Sequence, residues 1–299
     1  MRRYLLGGVL LLAGAALILS AWWPIEDAWR VERTPLTSPE DLTSYYPLLN
    51  FERLEIKHTQ GRQLTLYLVR YQDKEGIFRQ ALLPEPGSAK WRAWMELGQL
   101  LRNLERDALV IAWWDNGQRV DFLSGLAAWI YQPPKEAFAP GERLLWQTLS
   151  GGFEDSEKLI QLAKWWAADS VQALSEIARL KPDRPVYFLV SSDDLTHLDE
   201  IERLAGKTLP LEVRIFPEAS NFHAQIAQIK RWARETGKAY LPLKVPGGIA
   251  AWRLTLESPP FLVRWLPFLP LADKEESRPL HSLTQVYQSF GGYLTLYRR

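Results

Sequence analysis

The sequence predicts an α/β fold in which an N-terminal transmembrane helix precedes a mixed, largely parallel sheet flanked by helices. Two short, continuously apolar segments, 108–112 and 185–190, are typical of strands buried on both faces. Amphipathic helical segments alternate with these strands, which is the pattern of an α/β layer. The uncharged run 4–23 would span about 30 Å as a helix, the thickness of a bilayer core. Antiparallel β additions are predicted at both ends of the folded part.

Charge placement predicts how the N-terminal helix lies in the membrane. Arg2 and Arg3 precede the apolar run, whereas acidic and basic residues are mixed after it. The positive-inside rule therefore predicts a cytoplasmic N-terminus, with the bulk of the chain in the periplasm of a bacterium. An uncleaved single-pass anchor in the inner membrane is preferred over a signal peptide. Cleavage after Ala21 would place the bulky Leu19 where a small residue is needed.

Composition along the chain predicts four regions. Residues 1–23 form the membrane anchor, and residues 24–50, with four prolines, are predicted as a tether. Residues 51–85 are predicted as a small β region, because alternating hydrophobicity indicates strands at 51–56, 64–69 and 77–83. Residues 86–299 are predicted as the α/β domain.

The α/β domain is predicted from its changes of period and from its turn and cap residues. Ser88 caps the first helix, and Asp169 divides the helical stretch 155–180. Helices are predicted at 89–105, 120–123, 141–149, 155–180, 193–204 and 222–235. Strands are predicted at 108–112, 127–131, 185–190, 211–216, 239–245 and 249–256. The segment 283–297 is predicted as a closing hairpin, with Gly291 and Gly292 in its turn.

The most distinctive motif is the tryptophan segment 113–119, WWDNGQR, which directly follows a buried strand. Loops at the carboxyl ends of strands in α/β sheets commonly bind ligands. If the strand continues, Trp113 and Trp114 point to opposite sides, so that one is core and the other is free to line a binding site. The segment is therefore a candidate site for a ligand or a protein partner.

The polar residues of this segment have a functional and a structural interpretation. Asp115 can accept hydrogen bonds, Asn116 and Gly117 suit a tight turn, and Arg119 can hold an anion. In the structural interpretation, the turn and the tryptophans belong to the framework, and Asp115 and Arg119 simply pair with each other.

A second candidate follows the other buried strand. Ser192 and Asp193 lie at its carboxyl end, where they are able to face the same crevice as the tryptophan segment. The structural alternative is a helix cap with acidic residues near the positive end of the helix dipole. Another aromatic pair, Trp165 and Trp166, lies in a helical stretch and is interpreted as packing.

Composition excludes several classes of site. The chain has 14 tryptophans but no cysteine, which excludes disulfides, thiolate catalysis and c-type haem attachment. Its four histidines show no metal-ligand spacing, and the net charge of +1 gives no reason to expect a nucleic-acid partner. The motifs GxGxxG, GxxxxGK[ST] and GxSxG do not occur. No catalytic residue, metal or cofactor is therefore predicted, and a hydrolase or transferase that uses Asp115 or Asp193 is left open as an alternative.

The segment 107–119, together with Phe122, Leu123, Ser124 and Gly125, resembles the central region of the hydroxylamine oxidation protein HaoB family. The short N-terminal membrane segment and the chain length also fit that family. The resemblance implies a place in nitrification beside hydroxylamine oxidoreductase, and it supplies no catalytic residues.

The tryptophan segment is also similar to the WWDYG motif of oligosaccharyltransferase catalytic subunits, which helps to recognise the acceptor peptide. Trp113, Trp114, Asp115 and Gly117 match, whereas Asn116 stands in place of the tyrosine. Those enzymes carry their catalytic acids and metal on many membrane spans, but this chain has one predicted span. Glycosyl transfer by their mechanism is therefore excluded.

Two functions follow as expectations. The first is a membrane-anchored periplasmic accessory protein that docks or assists hydroxylamine oxidoreductase and does no redox chemistry itself. The alternative is an extracytoplasmic module that binds a peptide or a small ligand with the loop of Trp113, Trp114 and Asp115. The expected partners are the inner membrane and hydroxylamine oxidoreductase.

Overall fold

The computed structural model describes residues 29–299 except 44–45, 47–48, 59–62, 73–75, 77, 180–183, 246, 257 and 272–282. Within this part of the chain the architecture is mixed α/β, with three sheets and flanking helices. The predicted membrane anchor lies outside the described residues. Among the residues that are described, no helix has the length and apolar character needed to cross a membrane.

The first sheet is antiparallel and confirms the three strands predicted between residues 51 and 85. Its strands, in the order β1-β2-β3-β4, are Trp29–Pro35, Asn50–His58, Gln63–Gln72 and Phe78–Leu83. Leu54 and Leu68 are buried on one face, and Phe51 and Val69 are buried on the other. The alternation that predicts these strands therefore reflects a sheet that is covered on both faces.

The segment 24–50, predicted as a tether, differs from that expectation. It contributes β1 and a short helix, α1 (Glu40–Thr43). β1 pairs with β2 along its whole length, with Val31 opposite Ile56. The prolines in this segment do not indicate an unstructured tether. Pro35 ends an edge strand and Pro39 precedes a helix, and both positions tolerate proline.

The second sheet, called the central sheet, is mixed. Its strands, in the order β12-β13-β7-β5-β6, are Thr284–Gln288, Leu294–Arg298, Val186–Ser191, Leu109–Ile111 and Ala127–Ala128. β5 is parallel to β6 and β7, and the hairpin predicted at 283–297 is confirmed as β12 and β13, antiparallel to β7. Ile111 and Phe188 are buried in one core cluster, whereas Val110 and Leu189 are buried in another. Burial on both faces explains why β5 and β7 are apolar throughout.

The third sheet corrects the prediction of a largely parallel sheet. Its strands, in the order β11-β9-β10-β8, are Leu269–Pro270, Ala239–Val245, Gly248–Leu254 and Leu211–Pro217. All three of its pairings are antiparallel. Only two residues connect β9 to β10, and such a connection forms a hairpin because a parallel crossover needs a dozen residues or more.

The helices largely follow the predicted pattern. From α2 to α9 they are Ala89–Arg102, Trp114–Ser124, Arg143–Ser150, Ser156–Ala167, Ser170–Ala178, Leu198–Ala205, Phe222–Thr236 and Phe261–Trp265. The Ser88 side chain accepts a 3.0 Å hydrogen bond from the amide of Trp91, which confirms the predicted cap. Asp169 caps α6 and divides the helical stretch as predicted. Helix α9 and strand β11 are not predicted from the sequence.

Two large core clusters lie on the two faces of the central sheet. One contains Trp165 and Trp166, which are 1% and 2% exposed, and this confirms their interpretation as packing residues. The other contains Trp91 and Trp94 of α2 together with the inner face of the first sheet. The central sheet is therefore packed between two aromatic cores. Polar side chains can be accommodated at its edges.

Candidate functional site

Both predicted candidate segments lie at the carboxyl edge of the central sheet. β5 and β7 are parallel neighbours, with Leu109 opposite Val186, so the chain leaves both strands on the same side. Asn116 Nδ2 donates a 2.8 Å hydrogen bond to Oδ1 of Asp194, which joins the two segments directly. We call this group the edge cluster. Its members are Trp113, Trp114, Asp115, Asn116, Arg119, Asp194 and His197.

The tryptophan segment is the start of a helix and not a loop. Trp113 occupies the cap position of α3, and the amide of Gly117 donates a 2.8 Å bond to the carbonyl of Trp113. The predicted turn at Asn116 and Gly117 is therefore wrong. Gly117 is needed for a different reason, because a Cβ there would lie 1.9 Å from the carbonyl oxygen of Ile130. The glycine permits α3 to pack against the following chain.

Neither tryptophan of the motif is exposed. Trp113 is 0% and Trp114 is 3% exposed, so neither lines an open surface. Trp113 stacks on Trp166 with ring centroids 5.0 Å apart, and Trp114 meets the edge of Trp146 at 6.3 Å. The expectation that one of the pair is free fails because the strand ends at Ile111 and the helix then turns both rings inward.

Arg119 connects α3 to its surroundings. Its guanidinium lies 3.0 Å from Oδ2 of Asp115 and donates a 2.7 Å bond to Oδ1 of Asn116. Its Nε donates a 2.7 Å bond to the carbonyl of Leu82, and its guanidinium lies over the Trp94 ring. The structure therefore shows the ion pair of the structural interpretation. Burial lowers the pKa of Arg119, but the nearby charges of Asp115, Tyr293, Asp193 and Asp194 together outweigh burial and raise the pKa.

The segment after β7 caps a short 3-10 helix, Ser192–His197, and the cap is displaced by one residue from the prediction. Ser191 is the cap, because its hydroxyl accepts a 2.9 Å bond from the amide of Asp193. Asp194 accepts a 2.8 Å bond from the amide of Ser191, which completes a capping box. Ser192 is buried. Asp193 is partly exposed and accepts bonds from Lys90 Nζ at 2.6 Å and from the Tyr293 hydroxyl at 2.9 Å.

The buried carboxyl of Asp194 and the imidazole of His197 have perturbed pKa values. Burial raises the pKa of Asp194 well above its ordinary value, and the nearby charge of Asp115 raises it further. Burial lowers the pKa of His197, but its hydrogen bond to Glu200 and the charges of Asp115, Glu200 and Asp194 together outweigh burial and raise it. The edge cluster therefore favours protonation of both groups.

His197 is a member of the cluster that sequence reasoning misses. Its ring lies 5.9 Å from that of Trp113 and 6.3 Å from that of Trp114, and its Nδ1 is 3.4 Å from Glu200 Oε2. One signal was present in the sequence, namely a histidine with a glutamate three residues later, shortly after a buried strand.

Almost the whole sequence of this chain is similar to one protein family. The family described as HaoA-associated protein HaoB matches residues 2–299. The chain belongs to this family. The resemblance seen in the tryptophan segment thus extends over nearly the whole sequence. The family's name implies association with HaoA, hydroxylamine oxidoreductase, in nitrification. A search of curated proteins found no match.

Solved structures similar to this HaoB-family chain include two domains of oligosaccharyltransferases. The C-terminal domain of PglB from C. jejuni is 13% identical, with a TM-score of 0.37, over 68% of this chain and 98% of that domain. The C-terminal globular domain of oligosaccharyltransferase AfAglB-S2 from Archaeoglobus fulgidus is 15% identical, with a TM-score of 0.26. The match covers 57% of this chain and 99% of that domain.

Several polar atoms of the edge cluster have no hydrogen-bond partner within the described part of the protein. They are Nε1 of Trp113, Nε1 of Trp114 and Oδ1 of Asp115, together with Oε1 of the neighbouring Glu200. Two are donors and two are acceptors, and all are buried. Such groups cost free energy unless another molecule, such as water, meets them. Within the described residues, no group of three or more acidic or histidine side chains is arranged to hold a metal ion.

An exposed aromatic side chain lies beside the edge cluster. Phe290 is fully exposed, at the turn between β12 and β13. We call residues 289–293 the Phe290 turn. The Ser289 hydroxyl accepts a 2.8 Å bond from the amide of Leu294, and the amide of Ser192 donates a 2.9 Å bond to the carbonyl of Tyr293. The turn is thereby fixed to the same edge of the central sheet that holds the cluster.

Proposed function

We propose that this chain is a non-enzymatic accessory protein that docks onto hydroxylamine oxidoreductase through the Phe290 turn. The family match over residues 2–299 supports the partner, since the family is described as HaoA-associated. The edge cluster supports a scaffold role, because its side chains are buried and bound to one another. The surface offered to the partner is then the exposed turn that this scaffold holds.

The exposed ring of Phe290 is the observation that carries the docking proposal. A phenylalanine in full contact with water is unfavourable, and large exposed aromatic residues are common anchors at protein interfaces. The backbone on which Phe290 sits is held by hydrogen bonds on both sides. The amide of Leu294 donates to the Ser289 hydroxyl, and the Tyr293 hydroxyl donates to Asp193. The turn would therefore lose little conformational entropy when a partner binds.

The sequence supports an accessory role over redox catalysis by this chain. Covalent attachment of c-type haem requires cysteine thiols, and the chain contains none. Electron transfer in hydroxylamine oxidation is then assigned to the partner enzyme. The accessory protein contributes position, assembly or protection of a surface of that enzyme.

We further propose that the chain is held at the inner membrane by residues 4–23, with its folded part in the periplasm. The arginines at positions 2 and 3 and the uncharged run after them support this orientation. Strand β1 begins at Trp29, so the folded part would lie close to the membrane surface. Reporter fusions at the C-terminus test this, since a reporter active only in the periplasm must be active and a cytoplasmic one inactive.

Capture of the chain from native membranes tests the association. The tagged full-length protein is solubilised with mild detergent, captured, and its companions are quantified by mass spectrometry. We expect HaoA in a stoichiometric amount, compared with a matched tag-only control. Recovery of abundant, folded protein without HaoA would contradict the proposal.

A second candidate function is favoured by the unpartnered polar atoms around His197. Two indole donors and two carboxylate acceptors would together bind a small polar molecule in the edge cluster, with Trp113, Trp114 and Asp115 as its ligands. Hydroxylamine, which both donates and accepts hydrogen bonds, is the probe. Saturable quenching of tryptophan fluorescence that is lost in Asp115→Asn would support this function. No saturable change in the wild-type chain would reject it.

A further inference from the structure

Strand β8 is an exposed edge of the third sheet. It pairs with β10 on one side, and among the described residues no strand pairs with its other side. Val213 and Ile215 are 57% and 66% exposed, although both are large apolar residues within a strand. Exposed edges of this kind are sites where another strand can add to the sheet.

The hydrogen-bond pattern shows which backbone groups of β8 face the free edge. The amide of Thr255 donates to the carbonyl of Pro210 at 2.9 Å, and the amide of Glu218 donates to the carbonyl of Gly247 at 3.0 Å. Bonded pairs alternate along an antiparallel ladder, so the even-numbered residues of β8 bond to β10. The amides and carbonyls of Val213 and Ile215 therefore point away from β10.

Over residues 212–215 the side chains of β8 divide into an apolar face and a charged face. Val213 lies opposite the buried Trp252, so Val213 and Ile215 extend the face of the sheet that covers the core. Glu212 and Arg214 lie on the other face, because side chains alternate along a strand. Over residues 212–215 the exposed edge thus reads acidic, apolar, basic, apolar.

We propose that β8 pairs with β8 of a second copy of this chain, antiparallel and centred on Val213. In this register Val213 faces its own copy, and Glu212 of each copy faces Arg214 of the other. Registers centred on Glu212 or on Arg214 would place like charges opposite each other, which is destabilising. Among these three registers, the order of charges on this strand therefore favours the one centred on Val213, which gives a two-fold dimer.

The charged side chains are positioned for this contact. Glu212 accepts a 2.9 Å bond from Arg253 Nε, yet its side chain remains 52% exposed. Arg214 is exposed, and its guanidinium lies 5.2 Å from the centre of the Phe216 ring. Pro210 and Pro217 border the edge and cannot donate backbone hydrogen bonds. The pairing is thus confined to a few residues, and the dimer is a weak one.

Paired charge reversals test the register. The dimer dissociation constant of the full-length chain in mild detergent is measured by sedimentation velocity over a wide range of concentration. We expect E212R and R214E each to weaken self-association by roughly tenfold, because attraction becomes repulsion at two symmetric positions. An equimolar mixture of the two variants should recover wild-type affinity, because two basic side chains on one copy then face two acidic side chains on the other.

The mixture separates pairing at β8 from other causes. A variant that had merely lost its fold would not be rescued by mixing, and circular dichroism of each variant checks the fold directly. Dimerisation through the membrane segment would be unaffected by either reversal. A wild-type chain that stays monomeric, a dimer unaffected by the reversals, or a mixture without recovery would each overturn the proposal.

Discussion

The edge cluster and the Phe290 turn lie on the same edge of the central sheet, and both are aromatic, but their environments are opposite. Trp113 is completely buried and stacked on Trp166, whereas Phe290 is completely exposed. The cluster is joined across strands by the bond from Asn116 to Asp194. A conspicuous sequence motif can thus stabilise the fold, while a single residue in a turn provides the exposed surface.

The difference has a mechanical reason. α3 begins shortly after β5, so its first turn packs against the neighbouring helices. Its aromatic side chains therefore fill a core. The hairpin of β12 and β13 instead reverses beyond the sheet, and no described element covers the ring of Phe290. Changes in the cluster should therefore alter stability, and changes at the turn should alter association.

Trp113→Ala should have the largest effect on stability. It removes a fully buried indole from a packed cluster, and such truncations cost about 3–5 kcal/mol. Urea unfolding of the full-length chain in detergent, followed by near-UV circular dichroism, measures the loss. An unchanged free energy of unfolding in Trp113→Ala would show that the edge cluster does not stabilise the fold, and would contradict the contrast between the two regions.

Gly117→Ala should follow, with a loss of about 3 kcal/mol. The new methyl group would overlap the carbonyl oxygen of Ile130, which is backbone and cannot rotate away. Gly98→Ala is the matched control, because it also lies in a helix but meets only the side chain of Leu123, at 3.2 Å. The same urea midpoint for both variants would refute the proposed close approach at Gly117.

The buried carboxyl of Asp194 should make stability depend on pH. Its pKa is raised in the folded state by burial and by Asp115, so its contribution is fully present below the ordinary carboxyl pKa, about 4. That contribution is lost as pH rises through the raised pKa. The raised pKa of His197 acts in the same direction. Asp194→Asn should therefore show a smaller decline in unfolding free energy with rising pH than the wild type, and parallel curves would contradict this.

Phe290→Ala should have the smallest effect on stability, within about 0.5 kcal/mol, because the ring contacts solvent in the folded chain. A loss similar to that of Trp113→Ala would mean that the turn is part of the framework. The contrast between a stabilising edge cluster and an exposed Phe290 turn would then be wrong for the turn.

Most of the elements around the site could be predicted from the sequence, since alternation, helical spacing and caps are local signals. Ser88 and Asp169 are caps at the predicted positions. The arrangement of strands into three sheets could not be predicted, because β8 joins β10 only after the chain has passed through a helix and another strand.

The site was only partly predictable for a similar reason. That the segments after β5 and β7 meet follows from the α/β pattern. Burial of Trp113 and Trp114 does not, because it depends on Trp166 and Trp146, which are distant in sequence. The Phe290 turn gave a hairpin signal through its glycines, but the exposure of one ring is a property of the assembled fold.

Binding of HaoA to Phe290→Ala tests the central claim most directly. Affinity of the purified full-length chain for HaoA is measured by biolayer interferometry, with Phe222→Ala, an exposed phenylalanine on α8, as the matched control. We predict that Phe290→Ala weakens binding by roughly tenfold or more while Phe222→Ala binds like wild type and all three unfold alike. Equal affinity of Phe290→Ala and wild type would contradict docking through the Phe290 turn.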